Sequence, residues 1–193
     1  MSDFQKDKIL TRIWWTSKIR MQSEKRLRSY DRLAHISVAL VSVLLIGLTL
    51  YNDTFSDNLH RDEHLITLSV LITVLSLVLL NFKFGEKAVL HRECYLKLQA
   101  IADSNIETPL LVSKYHEILA SYPNHASSDR TSLIIYTTLF GSGKLTDTND
   151  NDVKWNFAYL FMFLVNLLLP WLAIIIVVGF ALFGPFLIRA AIG

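Results

Sequence analysis

The stretch LITLSVLITVLSLVLLNF, residues 65–82, decides the fold, because it contains no charged residue and is rich in Leu, Val and Ile. A helix needs roughly 20 residues, at about 1.5 Å each, to cross the hydrocarbon core of a bilayer. The stretch is also too long for a buried strand. It therefore predicts a helix that spans a membrane.

A second apolar block, ISVALVSVLLIGLTLY at residues 36–51, is also uncharged and lies shortly before the first. The connection between them, residues 52–64, carries four carboxylates and one arginine, whereas nine Lys and Arg residues precede the pair. Basic flanks stay in the cytoplasm. The pattern predicts a transmembrane helical hairpin with a cytoplasmic N-terminus and an acidic outer loop.

A third block, residues 157–188, is longer than one span requires and is interrupted by Pro170. We interpret it as one tilted or kinked span, since two crossings need a turn and polar residues that are absent here. A re-entrant segment remains the alternative. A single crossing places the C-terminus outside the cytoplasm.

Composition supports membrane insertion, with 52% hydrophobic and 19% charged residues and a mean hydropathy of +0.36. The predicted fold class is an all-α membrane protein with an N-terminal transmembrane hairpin, a cytoplasmic helical region and a C-terminal third transmembrane helix. The predicted boundaries are a basic amphipathic N-terminal helix at 1–34, the hairpin at 35–82, the cytoplasmic region at 83–140, a flexible linker at 141–156 and the last span at 157–193.

The segments outside the spans are predicted to be helical. Apolar residues interleaved with Lys and Arg before the first span are typical of a helix at the membrane surface. The same basic residues permit nucleic-acid binding, but any cytoplasmic flank needs them, and we expect no direct nucleic-acid contact. The second span is expected to continue unbroken to Asp103, and helices are expected to start near Thr108 and Ser127.

We expect no enzyme, cofactor or metal site in this chain. The only cysteine is Cys94, which leaves no cysteine-based metal site. The segment GSGK at residues 141–144 lacks the flanking Gly and Ser or Thr of a phosphate-binding loop, because Thr138 and Leu145 stand at those positions.

Polar residues within the spans are the candidate functional groups, since each is unfavourable in lipid unless it faces protein or water. They are predicted to form either a pore lining or a helix-packing face, and small hydroxyl residues suit both. These residues are Ser42, Ser69, Thr73, Ser76 and Asn166.

With these elements placed, the chain resembles the SLATT family of bacterial membrane effectors over about residues 12–140. The resemblance is carried by SEKRLR at 23–28 before the first span, by the two-span hairpin, by YHEIL at 115–119, by YPNH at 122–125 and by Asp129. The branch it resembles most is the one beside reverse transcriptases, including retron-type systems.

The resemblance implies an effector of anti-phage abortive infection in the bacterial inner membrane. Such a protein is expected to contact membrane lipid, to form a homo-oligomer and to permeabilise the membrane when a sensor triggers it. The implied sensor is a reverse transcriptase or retron complex, or a nucleotide-signalling enzyme. A membrane anchor or scaffold without a pore, serving a cytoplasmic partner, is the alternative function.

The resemblance also marks a candidate family-motif turn, formed by Tyr122, Asn124, His125 and Asp129. Asn and Asp favour turns between helices. A capped turn that joins two helices therefore accounts for these residues without a ligand, and ligand binding is the alternative.

Overall fold

The computed structural model describes residues 2–50, 58–141, 145–147 and 151–192, and these residues are almost entirely helical. The elements in chain order are α1 (Ser2–Leu50), α2 (Asn58–Phe82), α3 (Phe84–Asp103), α4 (Thr108–Ser121), α5 (Ser127–Ile135), a π-helical turn (Tyr136–Phe140) and α6 (Phe157–Ile192). The predicted all-α class is confirmed. The acidic loop predicted between the first two spans lies largely outside the described residues.

The chain divides into two compact units. One, the polar unit, comprises Met1–Arg28 and Gly85–Leu167, and the other, the membrane unit, comprises Ser29–Phe84 and Leu168–Gly193. The long helices α1 and α6 each contribute one part to each unit.

The polar unit has its main apolar core where α1 meets α3 and α4. Six buried side chains form this core, namely Ile9, Ile13, Cys94, Leu98, Leu111 and Tyr115. They recur every three or four residues along their helices, which is the spacing that places side chains on one helix face. The sequence predicted that the apolar N-terminal residues lie at a membrane surface, whereas the structure buries Ile9 and Ile13 in this core.

A second apolar core joins α1 and α5 to the segment before α6. Trp15, Ile19, Leu133, Ile134 and Leu145 are buried together there. The Trp15 indole Nε1 donates to the Thr146 carbonyl oxygen at 2.9 Å, and the Val153 amide donates to the Leu145 carbonyl oxygen at 2.8 Å. The described part of the predicted linker is therefore packed against the unit, which differs from the flexible connector expected from its polar composition.

The membrane unit has an apolar core that includes all three long helices. Val41 and Leu68 are fully buried, and Leu71, Ile72, Leu75 and Val177 pack around them. Three helical segments among the described residues are long and apolar enough to cross a membrane. They are Phe4–Gly47, Leu65–Asp103, which runs through α2 and α3, and Phe157–Gly179.

The predicted unbroken helix from residue 65 to Asp103 is interrupted at Lys83. This residue has a φ of 47°, in the left-handed region that residues with a side chain rarely adopt. One helix ends at Phe82 and the next begins at Phe84, with the rings of these two residues stacked at 5.4 Å. Neither proline nor glycine occupies the break, so the usual sequence signals of a helix end are missing.

Candidate functional site

A buried carboxylate on α5 joins that helix to α1. Asp129 lies in the first turn of α5 and is 1% exposed. Its Oδ2 accepts hydrogen bonds from Ser23 Oγ at 2.7 Å and from the Ala126 amide at 3.1 Å. Arg26 donates from Nε to Oδ1 at 2.7 Å and from Nη2 to Oδ2 at 3.1 Å. One side chain therefore fixes the start of α5 and holds it to the middle of α1.

The Arg26–Asp129 pair has the two-pronged geometry that makes an arginine–carboxylate contact strong. The Arg26 side chain is only a quarter exposed, so water screens the pair poorly. A carboxylate taken out of water this completely is unfavourable unless its oxygens are satisfied. Here four donors satisfy the two oxygens.

A second arginine, Arg20, lies one helical turn before Ser23 on α1 and is buried as deeply as Asp129. Its Nη1 donates to the Pro123 carbonyl oxygen and lies 3.4 Å from His91 Nδ1 on α3. Because a guanidinium has no acceptor, this contact requires His91 Nδ1 to carry no proton. The Nε of Arg20 has no hydrogen-bond partner. Arg20 thus joins α1 to α3 and to the turn before α5.

Two imidazoles beside Arg20 are held in the neutral form. Burial, reinforced by the positive charge of Arg20, lowers the pKa of His91 to about 4, although Asp129 acts in the opposite direction. Burial and then Arg20 also lower the pKa of His125. The cluster at neutral pH therefore contains two arginines, one carboxylate and two neutral histidines. We call Arg20, Ser23, Arg26, His91, His125 and Asp129 the polar cluster.

We expect the stability of the polar unit to fall when the pH is lowered from 7 to 5. In this range His91 becomes protonated in the unfolded chain, where its pKa has the ordinary value of 6.5. In the folded unit the pKa of His91 is about 4, so His91 stays neutral there. Unfolding therefore takes up a proton and becomes more favourable as the pH falls, by on the order of 1 kcal/mol.

Thermal melting of the detergent-solubilised chain at the two pH values measures this effect. His91→Gln should reduce the difference in melting temperature between the two pH values. His116→Gln, at an exposed position on α4, should leave this difference unchanged. An equal slope in the parent and the His91→Gln chain contradicts the prediction.

The structure brings only part of the predicted family-motif turn into the polar cluster. Asp129 lies at its centre, and His125 is half-buried with its Nδ1 unpartnered. Asn124 is exposed. Tyr122 follows the end of α4, where its hydroxyl donates to Glu93 Oε2 at 3.4 Å and Lys97 lies over its ring at 5.1 Å. The Ala126–Asp129 bond is the contact of a capped turn, and the bonds from α1 add a tertiary role.

Sequence reasoning missed Arg20 and His91. A usable signal was present for Arg20, since Arg20 and Ser23 continue the spacing of the buried residues Ile9 and Ile13 along α1. Polar residues in phase with a buried apolar stripe indicate a paired polar group in a core. His91 carries the same signal, because it lies in phase with the buried residues Ala88, Cys94 and Leu98 of α3. The identity of its partner, 71 positions away along the chain, has no such signal.

The candidate pore or packing residues are divided between the units, with Asn166 in the polar unit and the other four in the membrane unit. Ser42, Ser69 and Thr73 each donate to the carbonyl oxygen four residues earlier in the same helix, at 2.8 to 2.9 Å. Asn166 Nδ2 does the same to Met162, at 2.7 Å.

Within the membrane unit, the apolar residues Leu68, Ile72 and Leu75 of α2 form the core contact. Ser69 and Thr73 are exposed, and Ser76 is partly exposed. Ser69 and Thr73 therefore present their side chains away from that core, on a part of α2 that a single copy leaves open.

Comparison with known protein families identifies the family of this chain. A family model described as SMODS and SLOG-associating 2TM effector domain family 5 matches residues 2–183, a range that includes both units and most of α6. No curated protein matches the chain, and no solved structure does. The resemblance to the SLATT family is confirmed, whereas the branch beside reverse transcriptases stays a prediction. Because the match covers most of the sequence, the chain belongs to family 5 of the SMODS and SLOG-associating 2TM effector domains, the SLATT family.

Proposed function

We propose that this protein is the membrane effector of a bacterial antiviral defence system, and that it oligomerises and permeabilises the inner membrane when a partner sensor triggers it. Membership of a 2TM effector family supports the effector role. The three helices that are long and apolar enough to cross a bilayer support action at the membrane itself. We infer that the sensor is a reverse transcriptase complex or a nucleotide-signalling enzyme, on the resemblance described above.

The continuity of α1 is the observation that carries this proposal. The helix runs from Ser2 to Leu50 without interruption. It carries Arg20, Ser23 and Arg26 of the polar cluster, and it also carries Val41 of the membrane core. We infer that a trigger acting on the cluster acts on the same helix that supplies a candidate membrane span.

In this mechanism the polar cluster holds α1 in one of two arrangements. A trigger must bind one arrangement more tightly than the other in order to shift their populations. Contact with the turn that contains Pro123 and His125, or with the start of α5, is suited to this because both segments bond directly to α1. Release of these bonds frees α1 to move and opens a leak between copies.

Membrane potential tests the proposal. Expression of the full chain in a bacterial host should depolarise the inner membrane, as followed with a voltage-sensitive dye. Replacing Ser69, Thr73 and Ser76 together with Leu should abolish depolarisation, because a polar face in contact with water becomes an apolar constriction. Retention of full depolarisation by this variant contradicts a lining role for these residues.

The matched control enlarges a neighbouring part of α2 without removing any hydroxyl. Val70, Val74 and Val78 are exposed on the same helix, and their replacement by Leu should preserve depolarisation. An unchanged membrane potential in all expressing cells, with the protein present in the membrane fraction, favours the scaffold function instead.

A further inference from the structure

A cavity of about 820 Å³ lies in the polar unit, between α1, the end of α3 and the segment before α6. Its volume is within the range of small-molecule sites in proteins, about 300–1,000 Å³. All of its lining residues belong to the polar unit, and none of them is a member of the polar cluster. The cavity is therefore a second place in this unit where a ligand can bind.

Two helices supply most of the side chains that can bond to a ligand there. Thr11, Trp14 and Lys18 of α1 are spaced by three and then four residues, and Gln99 and Asp103 of α3 are spaced by four. Both spacings place side chains on one face of a helix. Each helix therefore presents a row of functional groups to the same cavity.

The third wall of the cavity is the segment before α6, which a hydrogen bond holds in place. The Trp15 Nε1 donates to the Thr146 carbonyl oxygen at 2.9 Å, and Leu145 is buried in the same apolar core as Trp15. The remaining apolar lining is supplied by Leu10, Ile13 and Ala102. The cavity thus combines apolar and aromatic surface with a few polar groups, which is the usual composition of a ligand site.

The cavity carries one positive and one negative side chain that do not pair with each other. Lys18 and Asp103 both line it, and none of the ion pairs formed by the described residues includes either one. Lys18 is only partly exposed, and its Nζ lies 5.8 Å from the centre of the Trp14 ring. Because a partly buried charge is favourable when an opposite charge neutralises it, both groups are suited to a ligand with charges of both signs.

The α1 wall also has unused hydrogen-bonding capacity. Ser17 lies in this wall and is 3% exposed, and its Oγ has no hydrogen-bond partner in the described part of the chain. Buried hydroxyl groups in folded proteins nearly always have a partner, which is protein or a bound molecule. The chain by itself therefore does not complete the bonding of this wall.

The ligand that complements this lining has three parts. An anionic group pairs with Lys18, a cationic group pairs with Asp103, and an aromatic ring packs against Trp14, because indole rings favour offset and edge contacts with other rings. We propose that the cavity binds a small zwitterion with a ring, of the class of the free aromatic amino acids. A nucleotide fits less well, since it brings the ring and the anionic group but no cation for Asp103. This inference does not rest on the proposed function.

Calorimetric titration of the detergent-solubilised full chain with L-phenylalanine tests the proposal. Two analogues each lack one charge, namely phenethylamine, without the carboxylate, and phenylpropionate, without the ammonium. Each should bind at least about tenfold more weakly than L-phenylalanine, because each gives up one charged hydrogen bond. Absence of saturable binding by both L-phenylalanine and L-tryptophan at concentrations up to about 10 mM overturns the proposal.

Two substitutions assign each charge of the ligand to its partner. Lys18→Gln should weaken the binding of L-phenylalanine by at least about tenfold and leave that of phenethylamine unchanged, since this analogue has no carboxylate to lose. Asp103→Asn should weaken the binding of L-phenylalanine similarly and leave that of phenylpropionate unchanged. Lys114→Gln, at an exposed position on α4 outside the cavity, is the control and should bind all three compounds as the parent does.

Thermal melting of each variant separates loss of the site from loss of the fold, and the analogue series decides the matter on the parent chain alone. If L-phenylalanine binds equally well to the parent, Lys18→Gln and Asp103→Asn chains, it binds elsewhere and the proposal is wrong. Tighter binding of adenosine monophosphate than of L-phenylalanine overturns the class of ligand. Binding of L-phenylalanine without depolarisation in cells supports the site and counts only against the proposed function.

Discussion

Replacing Asp129 with Asn should lower the free energy of unfolding of the polar unit by about 3–5 kcal/mol, the range for breaking a buried ion pair by removal of one partner. The new amide group places a donor where Ser23, Arg26 and Ala126 all present donors. It also removes the Asp129 charge from beside the Arg26 guanidinium, whose side chain is three-quarters buried. Asn and Asp have nearly the same shape, so the decrease in the free energy of unfolding reflects the loss of the charge and its hydrogen bonds.

Thermal melting of the purified chain in detergent measures this effect. Asp103→Asn is the control, because it makes the same chemical change at an exposed carboxylate at the end of α3, and surface changes of this kind usually stay within about 0.5 kcal/mol. If the Asp129→Asn chain melts within 1 °C of the parent, the polar cluster does not hold α1 to α5.

The second large effect is expected from Leu98→Ala, with a loss of about 2–5 kcal/mol. Leu98 is fully buried between α1, α3 and α4. Truncation removes its dispersion contacts and leaves a cavity that the rigid helices around it fill only partly. The helix itself should persist, since Ala is the best helix former.

Leu96→Ala on the same helix is the matched control. The substitution makes the same change in composition and helix propensity, but at a residue that is 48% exposed. Chemical denaturation followed by tryptophan fluorescence compares the two, since Trp15 lies in the adjacent core. Equal midpoints for the two variants contradict the position of Leu98 in the core.

The membrane helices could be predicted from the sequence because transfer of a side chain into lipid depends mainly on the residue itself. The block at residues 65–82 needs no partner to be recognised, and the third block is equally plain in composition. Their division between units could not be predicted. Nothing local distinguishes Phe161, in the polar unit, from Trp171, in the membrane unit, because both lie in one apolar run.

The N-terminal helix shows a different limit to what can be predicted from the sequence. Apolar residues alternating with Lys and Arg suit a helix that lies on lipid and equally a helix that packs against protein. The choice depends on Leu98, Leu111 and Tyr115, which cover Ile9 and Ile13 from far along the chain. The polar cluster has the same origin, since Ser23 and Asp129 are separated by 106 positions. The spacing along α1 indicates that Arg20 and Ser23 are buried, but it does not identify their partners, which are set by tertiary structure.

Because α1 is uninterrupted, insertions and deletions within it are constrained. Each residue added to an α-helix turns everything beyond it by about 100° and moves it by about 1.5 Å. A single inserted residue between Ile13 and Ser23 would therefore rotate Ile13, which packs against α3 and α4, out of phase with the side chains that bind Asp129. Insertions or deletions there preserve the phase only in steps close to seven residues, which is about two full turns. A loop at this point would tolerate changes in length far better, so the packing on either side of this segment constrains its length.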